Sequence, residues 1–427
     1  MLRPRAPVNG RRAPGRQPVR IGLVISVPVF EDFYPRHGVS REDYLARYDS
    51  DWICYYTRLL VRAGFELTWY LFSRAVARAE THRHAPTGAR VRFLPASPLY
   101  NWWTVRLPWI HHFSLHLATL SRGFLHELRA DPPELLYVQD YESGRFDVVS
   151  LLAARLGIPV VGQFHGGHSP ARWPLRALRR WALRRAALIL SPNTDEHRRV
   201  CGTHGLSGAR AQLFPNPVPV FAVPDREGAE VKREVGIPRA HRYVLFLGRL
   251  DANKGVDLLL AAHRELARRF PDLHLVVAGD GPDLEALRRA AEGLPRVHFL
   301  GWVASRPRVH ALLGGAEAVA CPSGEEAFCY VAAEAMTAAR PVVASAVGGL
   351  KDLVLDGVTG SLIPPRDPAA LSAALARLVD DPAASARMGA AGRARIEREF
   401  AEDVLVPRLV ALLHRAAGCA RPACEPA

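Results

Sequence analysis

The chain has 427 residues, which exceeds one ordinary domain core and predicts two or three folded units. Its content of 49% hydrophobic and 23% charged residues is typical of a globular enzyme and argues against a disordered or fibrous chain. The formal net charge of +14 favours polyanionic partners such as nucleic acid, anionic membranes or phosphate-bearing substrates. An Arg-rich solvated surface explains the same charge equally well, so charge alone leaves the partner open.

The termini and the cysteines indicate the compartment. The six cysteines form no CxxC pair, which argues against a zinc site and for reduced thiols in the cytosol. No apolar run reaches the ~18–20 residues that span a bilayer. Residues 1–20 are basic and rich in Pro and Gly, and we interpret them as a flexible leader because no small-residue cleavage pattern follows. We expect a cytoplasmic protein, with peripheral contact at the inner membrane face left open.

Short β-branched runs alternate with helical patterns in the first half, residues 21–220, which predicts a parallel sheet of βαβ units. Two of the helices are predicted at Asp51–Ala63 and Trp109–Arg129. The predicted strands are Ile21–Val27, Glu66–Phe72, Val91–Pro95, Leu135–Val138, Pro159–Phe164 and Leu188–Ser191.

The same alternation returns in residues 241–395, after a Pro-rich stretch that we interpret as a linker at 221–240. The predicted strands are Tyr243–Leu247, Leu273–Ala278, Val297–Leu300, Ala318–Cys321, Pro341–Ala344 and Ser361–Ile363. The predicted helices are Gly255–Phe270, Asp283–Glu292, Glu326–Thr337 and Pro368–Leu378, and residues 396–427 are expected to form a final helix and tail. The expected fold is α/β, with two Rossmann-like, doubly wound domains facing across a cleft. Ligands of such sheets bind beyond the carboxyl ends of the strands.

Two cations follow the strand Tyr243–Leu247. Arg249 and Lys254 lie on one strand-to-helix loop, directly after Gly248. A helix N-terminus there adds backbone N–H groups and a partial positive charge, so the loop is suited to a diphosphate. A second turn, Gly279–Pro282, ends the next strand, and its glycines permit close backbone approach.

Two carboxylates stand eight positions apart in the segment after the strand Ala318–Cys321. On one helix, Glu326 and Glu334 are separated by ~12 Å, which is too far for a shared proton. Each carboxylate accepts hydrogen bonds from vicinal hydroxyls, so the pair is suited to opposite ends of a long ligand. Electrostatic support of the helix N-terminus by Glu326 and a solvated Glu334 are the alternatives. The alanines around Glu334 make an unpaired carboxylate there costly.

At this point the order and spacing of several motifs resemble the retaining glycosyltransferases of family 4 (glycosyl transferases group 1), which have the GT-B architecture. The resemblance covers about 150 residues, from Asn216 to Pro365, whereas the first half matches only in its alternation of strands and helices. The matching pieces are Pro215-Asn216, Gly248-Arg249-Leu250, Lys254-Gly255, Gly279-Asp280-Gly281-Pro282, Gly301-Trp302-Val303, Glu326 with Glu334, Gly348-Gly349 and Asp356-Gly357-Val358-Thr359-Gly360.

The resemblance implies a role for each matching residue. Arg249 and Lys254 would neutralise the leaving diphosphate, Glu334 would bind the ribose, and Glu326 would orient the donor sugar as a catalytic-site residue. The loop that contains Val303 would lie along the base. Gly248, Phe328 and Cys329 complete the implied donor-binding set. Because the family often has glycines where this chain has Ala327 and Cys329, we expect a pocket that is tighter or differently shaped, in which backbone N–H groups are still available to the sugar or the phosphates.

The first half offers one candidate and one departure. The strand Pro159–Phe164 ends at His165-Gly166, where the resemblance implies a histidine facing the transferred sugar, and imidazole donates or accepts near neutral pH. His168 has less support. The Gly-Gly loop that many relatives carry after the first strand is replaced by the longer, aromatic segment 28–38. Either Gly38 substitutes for the pair or the acceptor site has been rebuilt.

Two further segments concern the acceptor or a membrane. Tyr100-Asn101-Trp102-Trp103 with Trp109 suits buried packing, with sugar stacking or a lipid interface as the alternative. The basic, Trp-bearing segment Arg172–Arg185 suits anionic lipid headgroups, and a solvated helix explains it equally well.

The sequence therefore predicts a retaining, hexosyltransferase-like glycosyltransferase that moves a sugar from a nucleotide-diphosphate donor to a hydroxyl acceptor. The acceptor is a glycan, a lipid-linked molecule or a small molecule. We expect no cofactor and no metal, because Arg249, Lys254 and helix-end N–H groups stabilise the leaving group, and we expect no nucleic-acid partner. The alternatives are a sugar-nucleotide epimerase of the same architecture and a non-enzymatic protein that binds anionic polymers.

Overall fold

The computed structural model describes most of the chain. The described residues are 18–25, 27, 29–35, 38–49, 52–106, 114–166, 175–223 and 225–418. The chain divides into two compact units, one made of residues 1–190, 201–212 and 406–427 and the other of residues 191–200 and 213–405. Each unit is built on its own sheet, and most strand pairs of both sheets are parallel.

The first unit contains an eight-stranded sheet in the order β3-β4-β2-β1-β5-β6-β7-β8. Its strands are β1 (Arg20–Val24), β2 (Glu66–Ser73), β3 (Glu80–Arg83), β4 (Arg90–Pro95), β5 (Leu135–Gln139), β6 (Val160–Gln163), β7 (Leu188–Ser191) and β8 (Ala211–Leu213). The β3 strand pairs antiparallel with β4, whereas β1, β2, β4, β5, β6 and β7 pair in parallel.

Nine helices precede or connect these strands in the described residues. They are α1 (Phe30–Phe33), α2 (Arg41–Ala46), α3 (Trp52–Arg62), α4 (Pro98–Arg106), α5 (Ser114–Thr119), α6 (Arg122–Ala130), α7 (Gly144–Leu156), α8 (Leu175–Arg185) and α9 (Thr194–His204). Ser143 caps α7 by accepting a hydrogen bond from the Phe146 N–H, and Gly157 ends that helix in the left-handed region at φ 68°.

The second unit contains a six-stranded, wholly parallel sheet in the order β11-β10-β9-β12-β13-β14. Its strands are β9 (Arg242–Leu247), β10 (Leu273–Ala278), β11 (Val297–Gly301), β12 (Ala318–Cys321), β13 (Val342–Ser345) and β14 (Gly360–Ile363). The helices are α10 (Asp225–Val235), α11 (Val256–Arg269), α12 (Leu284–Ala290), α13 (Arg306–Gly315), α14 (Tyr330–Thr337), α15 (Gly348–Leu353), α16 (Pro368–Asp380) and α17 (Pro382–Arg395). The last helix, α18 (Glu402–Gly418), begins in this unit and belongs to the first unit from residue 406 onward.

The second sheet is buried because its strands are covered on both faces. Every residue of β10 is buried, as expected for a central parallel strand with a continuous apolar sequence. One face packs on α11 and α16 through side chains such as Leu259, Val277 and Leu375. Asp367 fixes the start of α16 by accepting a hydrogen bond from the Ala370 N–H at 2.8 Å.

The predicted strands of both halves are present, with bounds that are identical or shift by up to three residues, and the structure corrects several other expectations. Residues 225–235 of the predicted linker form α10. The predicted helix Trp109–Arg129 is divided, since α5 ends at Thr119 and α6 begins at Arg122. Trp109 and residues 1–17 of the predicted leader lie outside the described residues.

The most consequential correction concerns Glu326. The predicted helix Glu326–Thr337 begins only at Tyr330, so Glu326 lies in the preceding loop. Cys329 stops the helix from extending backwards because its backbone has φ 72° and ψ 80°. The estimate of ~12 Å along one helix therefore does not apply to Glu326 and Glu334.

Candidate active site

The loop between β9 and α11 is held by close backbone approaches at the carboxyl edge of the second sheet. A Cβ atom at Gly279 would lie 1.8 Å from the Gly248 carbonyl oxygen, and one at Gly255 would lie 2.3 Å from the Pro322 carbonyl oxygen. Both positions also have φ angles in the left-handed region. The glycines therefore let three strand-end loops meet at this edge.

Arg249 and Lys254 occupy this loop in different environments. The Arg249 side chain is 73% exposed, and its Nε lies 2.5 Å from Oδ2 of Asp251. Lys254 is largely buried, and its Nζ donates to Oε1 of Glu326 at 2.6 Å. Burial disfavours the ammonium form, but the facing Glu326 carboxylate outweighs that penalty and raises the pKa of Lys254. Arg249 is thus open to an anion, whereas Lys254 is fixed beside a carboxylate.

The loop that carries Glu326 is pinned by its neighbours. The Gly349 N–H donates to the Glu326 carbonyl oxygen at 2.9 Å, and the Asn253 side chain donates to the Glu325 carbonyl oxygen at 3.0 Å. A Cβ atom at Gly348 would lie 2.0 Å from the Glu326 carbonyl oxygen. The Glu326 carboxylate also accepts a hydrogen bond from the Ser323 hydroxyl at 2.9 Å. These contacts bring Glu326 and Lys254 together without a helix.

Phe328 and Cys329 end this loop. Phe328 is 4% exposed and its ring packs edge-on against Tyr330, with centroids 5.3 Å apart. Its side chain is therefore part of the core, and only its backbone is left to contact a ligand. A hydrogen bond with the Cys321 thiol, together with burial, raises the pKa of the Cys329 thiol. Cys329 is thus a protonated thiol at a left-handed position that favours glycine.

Glu334 projects from α14 and pairs with an arginine that sequence reasoning missed. Arg306 Nη2 donates to Oε1 of Glu334 at 2.5 Å, although the two residues are 28 positions apart. Burial raises the pKa of Glu334, and the Arg306 cation opposes that shift. Arg306 begins α13, shortly after Val303, which is half-buried beside the 67% exposed Trp302. No spacing rule connects Arg306 to Glu334, so only the fold identifies this pair.

In the first unit, His165 follows β6 and contacts two aromatic rings. Its imidazole stacks on Trp52 with ring centroids 3.7 Å apart, and Tyr56 meets it edge-on at 5.9 Å. Burial lowers the pKa of His165 to about 3, so the ring is neutral at physiological pH. Its Nε2 has no hydrogen-bond partner among the described residues. His168 lies outside them.

Asp140 is a second residue that the sequence did not single out. It follows β5, the neighbour of β6, and its Oδ1 accepts a hydrogen bond from the His165 backbone N–H at 2.7 Å. Burial raises the pKa of Asp140 to about 7, and the hydrogen bond from His165 opposes that shift. Its φ angle of 55° is uncommon for a residue other than glycine. The sequence could have identified Asp140 as a candidate, because it follows a buried strand and so lies at the edge of the sheet where ligands bind.

The segment 28–38 is organised by its acidic residues. Glu31 accepts hydrogen bonds from the Ser73 hydroxyl and the Arg74 N–H, while Asp32 accepts one from the Tyr100 hydroxyl at 2.5 Å. Gly38 has a φ angle of 71°, and residues 28, 36 and 37 lie outside the described residues. The described part of this segment is a helical turn that is hydrogen-bonded to the end of β2 and to Tyr100 of α4.

Comparison with known proteins identifies the family. The model described as "Glycosyl transferases group 1" matches residues 228–395, and that of "Glycosyltransferase Family 4" matches residues 52–222. The D-inositol 3-phosphate glycosyltransferase of Mycolicibacterium paratuberculosis is 32% identical over 84% of this chain and 83% of its own. The chain belongs to the group 1, family 4 glycosyltransferases. It is therefore an enzyme that transfers a sugar from a nucleotide-sugar donor.

Further relatives and solved structures agree with this family 4 assignment. The alpha-D-kanosaminyltransferase of Streptomyces kanamyceticus is 33% identical over 56% of this chain and 66% of its own. The sucrose-phosphate synthase of Thermosynechococcus elongatus superposes with a TM-score of 0.71 at 21% identity, covering 94% of this chain and 99% of that one. Anabaena Alr3699/HepE in complex with UDP gives 0.69 at 18% identity, covering 93% and 99%. These structures show the GT-B fold.

The basic segment of this glycosyltransferase forms α8 from Leu175 onward, while residues 167–174 lie outside the described residues. Arg176, Arg180, Arg184 and Arg185 are exposed, whereas Arg179 is 2% exposed and pairs with Asp147 and Glu142. The helix therefore has a cationic outer face and a buried ion-paired inner face. Within the described residues, no helix is long and apolar enough to cross a membrane.

Proposed function

We propose that the enzyme transfers the sugar of a nucleoside diphosphate sugar to a hydroxyl acceptor with retention of anomeric configuration and without a metal ion. The observation that carries this proposal is the joining of Lys254 to Glu326 at 2.6 Å, beside the exposed Arg249. A diphosphate at this edge meets two cations, and the donor sugar meets a carboxylate. Fixed cations stabilise the charge that develops on the leaving diphosphate.

Each donor contact has a candidate in the second unit. We assign Glu334, which is held by Arg306, to accept hydrogen bonds from the ribose hydroxyls of the donor. We assign the half-buried Val303 to contact with the base of the donor. Backbone N–H groups around Phe328 and Cys329 remain for the phosphates or the sugar, because the Phe328 ring is buried. Uridine nucleotides are the first donors to test, since Alr3699/HepE is described in complex with UDP and with UDP-glucose.

The transfer step needs no second carboxylate. The bond from the anomeric carbon to the diphosphate oxygen breaks, and the acceptor hydroxyl oxygen bonds to that carbon on the same face. The hydroxyl proton passes to the departing diphosphate, whose charge Arg249 and Lys254 stabilise. Glu326 hydrogen-bonds Lys254 and Ser323, which suits it to holding donor sugar hydroxyls rather than to proton transfer. Neutral His165 has a ring nitrogen that no described residue bonds, and we assign it to a sugar or acceptor hydroxyl.

The test is donor turnover with and without a chelator, followed by NMR of the product. We expect hydrolysis or transfer to persist in excess EDTA and the product to keep the anomeric configuration of the donor. A strict requirement for magnesium or manganese contradicts metal independence, and an inverted product contradicts retention. Conversion of the donor into an epimeric nucleotide-sugar, with no release of the nucleoside diphosphate, indicates epimerisation instead.

The cationic face of α8 supports a finer proposal on location, namely that the enzyme works in the cytoplasm and contacts an anionic membrane surface peripherally. Arg180 and Arg184 are exposed one helical turn apart, and the Arg185 guanidinium lies 5.6 Å from the Trp181 ring centroid. Basic residues near an anionic surface each contribute about 1 kcal/mol. We expect the protein to bind phosphatidylglycerol vesicles. The double variant Arg180→Gln/Arg184→Gln should weaken this binding, and high salt should abolish it. Vesicle binding that does not change with salt concentration contradicts the proposed electrostatic contact.

A further inference from the structure

Exposed apolar side chains of the first unit gather at one edge of its sheet. Five large hydrophobic residues of this unit are exposed in its described part, and four of them follow the carboxyl ends of strands. These four are Phe33 at 40%, Leu99 at 59%, Trp102 at 48% and Leu120 at 47% exposure, and we call them the apolar rim. The fifth, Val61, lies at the end of α3 next to the start of β2, on the opposite edge.

The elements that carry the apolar rim are tied together. Leu99 and Trp102 are three positions apart on α4 and share a face of that helix. Tyr100 points inward, where its hydroxyl donates to Asp32 of α1. Leu120 precedes Ser121, whose hydroxyl donates to the Pro95 carbonyl oxygen at the end of β4. The rim is therefore built on the ends of β1, β2 and β4.

The acidic groups beneath the rim are already engaged. Glu31 is occupied by Ser73 and the Arg74 N–H, and Asp32 by Arg74 and Tyr100. The Asp32 charge is paired with the Arg74 cation, and the Glu31 carboxylate is satisfied by two neutral donors, which lowers the penalty for covering these two groups. The outward apolar side chains above them fit hydrocarbon better than water.

We propose that the apolar rim contacts the hydrocarbon part of a membrane-borne acceptor, so that the acceptor of this enzyme is a lipid-anchored hydroxyl compound. The proposal rests on the proposed sugar transfer. Ligands of parallel sheets bind beyond the carboxyl ends of the strands, and the rim lies at that edge of the unit that carries His165. Trp, Phe and Leu together are the side chains that enter the boundary between headgroups and acyl chains.

The test uses neutral phosphatidylcholine vesicles at high salt, which removes the contribution of the α8 arginines. We expect the full-length protein to float with the vesicles. Leu99→Asp should lower the partition coefficient about tenfold or more, because it replaces an apolar contact with a charge. The control Val61→Asp adds the same charge at the opposite edge and should float like the wild type. Equal flotation of the two variants, or no flotation of the wild type, overturns the proposal.

A second measurement distinguishes a lipid from a protein partner. Brominated phosphatidylcholine should quench part of the tryptophan fluorescence, and Trp102→Phe should remove that part. If sedimentation instead shows a dimer that Leu99→Asp dissociates, and vesicles do not bind, the rim is an interface between two copies and the proposal fails. The melting-temperature shift that UDP-sugars cause in the wild type reports the donor site separately. If the protein floats with vesicles but UDP-sugars neither shift its melting temperature nor are turned over, the proposed function is rejected, whereas the membrane contact of the apolar rim is not.

Discussion

Removal of the Lys254 charge tests the central contact of the candidate site. In Lys254→Met the alkyl stem is largely retained, while Glu326 loses its cation and keeps only the Ser323 hydroxyl. The Lys254 and Glu326 side chains are 26% and 11% exposed. Loss of one partner costs ~3–5 kcal/mol for a buried pair and at most ~1 kcal/mol for an exposed pair. We therefore expect the free energy of unfolding to fall by about 2 kcal/mol.

Catalysis should suffer more than stability. Loss of one fixed group that stabilises developing charge lowers turnover about 100- to 1,000-fold. In the double variant Lys254→Met/Glu326→Gln the orphan charge is gone, so stability should return while turnover stays low. Urea unfolding followed by circular dichroism gives the first quantity, and release of the nucleoside diphosphate gives the second.

The matched control is Lys351→Met. Lys351 also pairs with a carboxylate, Asp195, at 2.5 Å, but both side chains are about 40% exposed. This variant removes the same charge from the same unit without touching the candidate site, so turnover and stability should change little. If Lys254→Met turned over as fast as Lys351→Met, the assignment of Lys254 to the leaving group would be refuted.

Three further predictions follow from the buried titratable groups. Burial and the neighbouring histidines lower the pKa of His274 to about 4. The folded state therefore resists protonation of His274, and about 3 kcal/mol of stability should be lost as the pH falls from about 6.5 to 4. His274→Phe should remove that part of the slope in urea titrations across this range. The raised pKa of Asp140, about 7, has the opposite sign, because stability declines as the pH rises from about 4 through 7. Asp140→Asn should therefore flatten that decline, and an unchanged slope would show that Asp140 is not the group responsible. Glu334→Gln should weaken donor binding roughly tenfold by calorimetry, since it loses charge-assisted hydrogen bonds to ribose hydroxyls, whereas donor affinity equal to the wild type would exclude that role.

Much of the fold was predictable because it depends on local apolar runs. The strand Leu273–Ala278 was predicted with its bounds, since a central parallel strand is buried on both faces and is apolar throughout. Glu80–Arg83 was not predicted, because it is a polar edge strand whose side chains alternate between half-buried and exposed. The pairing of that strand with β4 depends on a hairpin-like return rather than on apolar sequence.

The loop before α14 shows where local reasoning fails. Residues 326–337 are rich in alanine and other helix formers, so their propensity predicts a helix from Glu326 onward. Tertiary contacts compete with this helix, because the Glu326 carbonyl oxygen accepts a hydrogen bond from the Gly349 N–H. The left-handed backbone of Cys329 completes the break. The contact of Lys254 with Glu326 at 2.6 Å was not predicted from the sequence, because the two residues are 72 positions apart and only the fold brings their loops together.

The pairs formed by Arg306 with Glu334 and by Lys254 with Glu326 have a common consequence for donor binding. Each carboxylate that would hold donor hydroxyls faces a cation of the protein itself. Desolvation on donor entry therefore does not leave an isolated negative charge, which would otherwise repel the diphosphate. Arg249 differs, because its side chain is mostly exposed and reaches solvent. Under the proposed function, Arg249 is thus the more accessible of the two cations that would meet the diphosphate, and both carboxylates would bind hydroxyls from positions where they are already paired.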